Sequence, residues 1–296
     1  NANRFKEIME EWSGGEVEIT IYGGKSIGEK KDQIELMQGG VLQFVHGTQG
    51  DLGTFAPQAS VYALHYLWPR DKTTEVMQEV ARNGKHLAMI QEKMREKNLM
   101  PLALGNTGWS WWSSNKPITG LESMEGWKIR VMPEKMLVEA FKAYGANPTP
   151  LPWGELYNAL QLNLVEGQSN PVYWGWAANF YEVQLYFTNP FAELLYYIPL
   201  VNPDFMASIP KDYADKITQT FIDLTAEIDV WRQGDAEWAI GKIQGSKPEV
   251  EFSEWTTEQT LPLRELAKTA HPIYIEQGGE DAELILETLL NDIEEA

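Results

Sequence analysis

A charge stands in the middle of EGWKIRVMPE, residues 125 to 134. Trp127, Ile129 and Val131 alternate along one side of a short strand, and Lys128, Arg130 and Met132 take the other. A guanidinium on a core-forming strand has two uses. It makes a structural ion pair with a neighbouring acid, or it faces a cavity and receives an anion. Its planar fork grips a carboxylate through two parallel hydrogen bonds, a geometry that an ammonium does not offer. Two other features accompany it. Asn170 precedes Pro171 in EGQSNP, where it serves as a turn former or as an amide donor to a bound group, and the two uses are compatible. Tryptophans crowd GNTGWSWWSSNKPI, PLPWGELY and NPVYWGW. Apolar walls with a few placed polar groups make a small-molecule pocket.

Other chemistries fall away. Gly24-Lys25-Ser26 follows a strand pattern and precedes a helix, but a phosphate loop needs glycine five positions before Gly24, and Ile19 stands there. Pro171 occupies the second-glycine position that a nucleophile elbow requires. His46, His65, His86 and His271 are scattered, with no pair at helical spacing to hold zinc, and there is no cysteine. No cofactor is expected. A formal charge of −19 disfavours tracking a nucleic acid backbone, and leaves any anion site dependent on local cations. No apolar run has the length of a membrane span. The first residues read as an amphipathic helix already under way, so an export signal and a first strand are expected to precede them.

The elements that must position these groups alternate between helix and strand. EVEITIY predicts a strand with Val17, Ile19 and Ile21 inward; EKKDQIELMQGG predicts a helix, and VLQFV a buried strand. One helical pattern runs from Val76 to Met94 and leads into a strand at LMPLAL. From Gly105 the pattern restarts with an aromatic loop, the Arg130 strand, a helix over EKMLVEAFKAYG, the turn ANPTPLPWG and a helix over ELYNALQLNLVEG. Residues 211 to about 240 form one long helix, and the acidic tail forms a terminal helix with a solvated face. The class is α/β.

The run GWKIRV…AYGANPTPLPWGELYNALQLNLVEGQSNP…FYEVQLYFT resembles the extracytoplasmic solute-binding proteins of tripartite ATP-independent periplasmic (TRAP) transporters, the DctP-type family. The similarity also covers WSGGEVEITIYGGKSIGEKKDQIELMQGG and PQASVYALHYLW, and is most specific from Gly105 to Thr188. It implies a two-lobed periplasmic binding protein fold with a hinge, an interlobe ligand cleft and a long helix spanning both lobes. Residues 1–104 with about 196–235 would form lobe I, and 105–195 with about 236–296 lobe II. By the same resemblance Arg130 clamps a ligand carboxylate, Asn170 supplies an amide to it, and Trp153 lies against the ligand; Trp174, one turn beyond Asn170, is placed to close the same wall. Core packing is an equal use for either tryptophan.

Where many relatives carry a second arginine, this chain has Ser110, flanked by Trp109, Trp111 and Trp112. One cation amid indoles suits a small organic monoanion, carboxylate or sulfonate, better than a dianion. The alternative is a zwitterion such as ectoine, whose cation indole faces attract. The opposite lobe would contribute His46, Thr48 and Gln49 after VLQFV, unless these are ordinary turn residues. The resemblance further implies a periplasmic, exported monomer that is not an enzyme and that delivers its ligand to integral-membrane permease subunits. A sensor module or an enzyme reusing the fold is the reading from another class. The first needs a fused membrane segment and the second a nucleophile or acid–base pair in the cleft.

Overall fold

The computed structural model describes residues 2–23, 26–232 and 234–296. Gly24 and Lys25 of the glycine–lysine–serine run lie outside them. Helix α1 (Ala2–Trp12) turns Phe5 and Met9 inward. The strand expected at EVEITIY joins no ladder. Side chains of α1 satisfy this backbone instead: Glu10 accepts from the Ile19 amide at 2.9 Å, and Lys6 Nζ donates to the Ile19 carbonyl at 2.5 Å. Val17 and Ile19 still pack on an apolar cluster, whereas Ile21 is exposed.

Helix α2 (Lys30–Gln38) starts at a capping box of Glu29 and Asp32 and stops at Gly39. Strand β1 (Phe44–Gly47), the one-turn helix α3 (Gln49–Leu52) and a 3-10 helix at Pro57–Ala63 follow. The pattern from Val76 to Met94 forms two helices, α4 (Thr73–Asn83) and α5 (His86–Arg95), broken at Gly84. LMPLAL yields only a two-residue strand, β2 (Met100–Pro101).

The aromatic segment expected as a loop is β3 (Gly105–Ser114), ten residues long and largely buried. Tryptophan favours a pleated surface covered on both sides, and β3 has partners along both edges. Strand β4 (Lys128–Val131) carries Arg130, and Glu134 caps α6 (Lys135–Ala143) by accepting from the Met136 and Leu137 amides. The expected turn after it contains β5 (Asn147–Pro150), whose two prolines suit an edge position. Helix α7 (Leu156–Gln161) is shorter than predicted, and β6 (Gly167–Pro171) brings Asn170 to the start of α8 (Val172–Ala177). Strands β7 (Tyr186–Asn189) and β8 (Leu194–Val201) precede α9 (Pro203–Ser208) and α10 (Lys211–Trp231). The long helix ends there, with Trp231 exposed, before α11 (Asp235–Ser246) and β9 (Glu251–Glu254). Helices α12 (Thr257–Ala267), α13 (Ala270–Gly278) and α14 (Ala282–Glu295) complete the chain.

Nine strands among the described residues form one mixed sheet with the path β1-β8-β3-β6-β4-β5; β2 also pairs with β8, and β7 joins β3 to β9. The sheet has two halves. β1 and β2 pair with the end of β8, while β6, β4, β5, β7 and β9 gather on the second half of β3. Only β3 and β8 run through both. Between Asn106 and Trp109 their register shifts, Gly108 adopts φ +107°, and Asn106 Oδ1 accepts from the Gly108 amide at 2.6 Å. This bulge bends β3 from β8 toward β6. Helix α10 packs Ile217, Phe221 and Leu224 against the first half and sets Asp229 beneath the Asn106 amide at 2.8 Å. The fold is therefore two α/β lobes joined by two strands and one long helix, with the cleft between them.

Packing divides the C-terminal segment that the sequence assigns to the second lobe. α11 and β9 lie on α8 and β7, whereas α14 lies on α4 and α5, and α13 touches both the 3-10 helix and α6. In the second lobe Trp112 sits among Trp127, Phe141, Tyr144 and Trp255, with ring centroids 5.3–6.3 Å apart. Trp112→Ala should cost about 3–5 kcal/mol of stability, read as a lower denaturant midpoint at unchanged m.

Candidate ligand-binding site

Arg130 is 1% exposed. Its Nε donates to the Leu151 carbonyl at 2.9 Å, and its Nη1 is buried without a partner. Among the described residues no carboxylate lies within ion-pair distance, so the structural-bridge reading is not what the geometry shows. Burial draws the guanidinium down to about 10, with Glu193 and Asp51 opposing the shift, and it remains charged at neutral pH. A buried cation with an unmatched nitrogen is costly unless an anion completes it.

Parallel pairing sets Arg130 opposite Gln168, so these side chains and Asn170, two residues on, share one face. Asn170 Nδ2 donates to Gln168 Oε1 at 2.5 Å, and Gln168 Nε2 donates to Ser113 Oγ at 3.0 Å, so the amide of Asn170 is held beside Arg130 by a chain of hydrogen bonds. Ser110 pairs with Pro171 across β3 and β6; it is buried, its hydroxyl has no partner, and its amide donates to the Glu193 carbonyl at 2.8 Å.

From the first lobe, Thr48 and Asp51 close a capping box on α3 and fix its orientation. Thr48 Oγ1 reaches Met132 Sδ at 3.7 Å, two residues after Arg130, so the lobes touch here. Lys30 Nζ donates to the His46 carbonyl at 2.7 Å, and the His46 ring stacks on Tyr197 at 4.3 Å. Protein mass around His46 holds its imidazole down at about 3, yet the ring is open to water. The ring is solvent-exposed and neutral at pH 7. Trp153 is 43% exposed and lies edge-on to Trp174 and Phe180, at 5.7 and 5.4 Å. These two tryptophans form an accessible aromatic wall with Tyr173, which meets Trp174 at 5.3 Å and has the Arg232 guanidinium over its own ring at 5.0 Å.

The sequence reading passed over Glu193. It is buried before β8, accepts from Gln49 Nε2 at 3.1 Å and from Ser169 Oγ at 3.0 Å, and interacts electrostatically with Arg130. The signal was the one that marked Arg130: a lone charge inside an apolar run, FAELLYYIPLV. The floor of the arrangement is sealed and charged, and its rim is aromatic and wet. A buried guanidinium with an unmatched nitrogen can receive a carboxylate.

Among the described residues no helix is long and apolar enough to cross a membrane. Residues 1–277 match the family described as bacterial extracellular solute-binding protein, family 7 (DctP). The ectoine/5-hydroxyectoine-binding periplasmic protein UehA of Ruegeria pomeroyi is 31% identical over 296 residues, 99% of this chain and 85% of that protein. The structure of the periplasmic ectoine-binding protein of the TeaABC TRAP transporter of Halomonas elongata superposes with a TM-score of 0.93 at 29% identity, covering 100% of this chain and 94% of that one. A TRAP periplasmic solute-binding protein from Desulfovibrio salexigens, solved with bound orotic acid, gives 0.92 at 27% identity over 99% and 93% of the two chains. The chain belongs to the DctP family of TRAP transporter solute-binding proteins.

Proposed function

We propose that this chain is a periplasmic, monomeric binding subunit that captures a compact solute bearing one carboxylate and delivers it to the integral-membrane permease subunits of a TRAP transporter. The observation that carries the reading is Arg130, a buried guanidinium with one nitrogen unpartnered and no acid at ion-pair distance. Arg130 clamps the carboxylate, Asn170 adds an amide from the same face, and Trp153 and Trp174 cover the solute from the rim. Ser110, Thr48 and His46 line the remaining walls. Closure around the bridge of β3, β8 and α10 removes water, which strengthens the ion pair and makes each unmatched polar atom costly.

Ectoine, named for two relatives, and orotic acid, named for a third, share a compact ring with a single carboxylate. That shared chemistry supports a ring monocarboxylate here, and the exposed indoles suit the cationic ring of an ectoine-like zwitterion. A thermal-shift panel of ectoine, orotate, pyroglutamate and succinate tests this, since a ligand that binds only the folded state raises Tm. At least one ring monocarboxylate should raise Tm by several degrees and succinate should not; conversion of a ligand during incubation would contradict the reading. Asn170→Ala should weaken the best solute by about 10- to 150-fold, the equivalent of one lost hydrogen bond to a charged group, read by titration calorimetry.

A further inference from the structure

Glu193 and Arg130 are two buried charges of opposite sign that influence each other without an ion-pair contact. The carboxylate of Glu193 is tied to two elements, Gln49 of α3 and Ser169 of β6, while His65 Nε2 lies 3.9 Å away without a hydrogen bond to it. Gln49 also donates to the Leu194 carbonyl and accepts from the Tyr196 amide, so both lobes hold this group in place. A solute carboxylate docking on Arg130 brings a second negative charge within electrostatic reach of the buried Glu193. One guanidinium does not offset two ionised carboxylates there.

Resting on the reading of Arg130 as the ligand clamp, we propose that Glu193 selects the net charge of the ligand: a carboxylate is accepted at Arg130 only together with a positive charge, carried by the solute itself or taken from solvent as a proton onto Glu193. No bond in the solute changes; the one transfer is a proton from buffer to a Glu193 carboxylate oxygen. Glu193 is placed to titrate in this way, because burial pushes its carboxyl up to about 7, against Ser169, Gln49 and Arg130, which favour the charged form. The other ionisable groups around it are poorly suited. His65 is held at about 3 by burial, Glu134 at the head of α6 opposes a further negative charge, and the phenols of Tyr144 and Tyr196 are pushed up. Asp51 acts through its pull on Arg130 and is paired electrostatically with Lys30.

Calorimetric titrations of the full chain with orotate and with ectoine at pH 7.5, in buffers of different ionisation enthalpy, count the protons taken up. Orotate should bind with more than half a proton taken up and ectoine with almost none. Orotate affinity should fall about tenfold from pH 7 to 8.5, and Glu193→Gln should abolish both the uptake and the slope. Orotate binding without proton uptake, or a slope surviving in Glu193→Gln, overturns the proposal. If neither probe binds, the ring-carboxylate reading fails, and the charge coupling is then decided without ligand. Because the folded pKa of Glu193 is raised, its contribution to stability is present at low pH and lost as pH rises toward 7. Wild type should therefore lose stability relative to Glu193→Gln between about pH 4.5 and 7, and Arg130→Ala should extend that loss to higher pH. A difference that is flat with pH, or unmoved by Arg130→Ala, overturns the proposal.

Discussion

Arg130→Ala should reduce affinity for the carboxylate solute on the order of 10²- to 10⁴-fold, the cost of truncating one partner of a buried charged pair. It should do so without lowering the melting temperature of the free protein. In the free chain the guanidinium is nine-tenths or more buried, bonded once to the Leu151 carbonyl, and leaves Nη1 unpartnered. Removing it deletes a desolvated charge, so stability holds or rises even as binding collapses. Arg130→Lys keeps the charge and loses the planar fork, and should fall between wild type and alanine. Calorimetry for binding, beside chemical denaturation for stability, separates a ligand clamp from a structural arginine, because a structural role would move the second measurement.

Gly50→Leu should weaken every ligand by about 10- to 100-fold while leaving the unliganded fold intact, the usual cost of overpacking a closed contact. Gly50 lies in α3 of the first lobe, and a methyl built on it would stand 2.7 Å from Met132 Cβ and Sδ in the second. The Cβ is the root of the methionine side chain and cannot rotate away. The lobes meet here with room for no side chain, two residues from Arg130, so bulk at Gly50 acts on closure rather than on either core. Small-angle scattering should show the variant remaining open in saturating ligand, where wild type contracts. A variant that contracts and binds as wild type would mean that the α3–Met132 contact does not report closure.

Arg130 was legible in the sequence because it breaks an alternation; the resemblance then attached Asn170 and Trp153 to it, and spacing from Asn170 added Trp174. The α/β class was legible for a similar reason, since α2 and α6 carry their own period and stop signals. β3 was not. Its glycines, serines and tryptophans look like loop composition, and what makes them a strand is pairing with β6, β7 and β8, residues more than 50 positions away. EVEITIY failed in the opposite sense: its local pattern is a strand, but its backbone partners are Glu10 and Lys6 of a helix. Glu193 was hidden because its meaning lies in tertiary neighbours, Gln49, Ser169 and Arg130, brought together from three separate segments. Local signals place elements and odd residues; only long-range pairing says which odd residues share a site.

A crystal structure of the chain saturated with the solute that most raises its melting temperature tests the central claim most directly. The account predicts closed lobes and both carboxylate oxygens within about 3 Å of the Arg130 guanidinium nitrogens, as a bidentate pair requires. A solute held elsewhere, with Arg130 still bonded only to the Leu151 carbonyl, would contradict it.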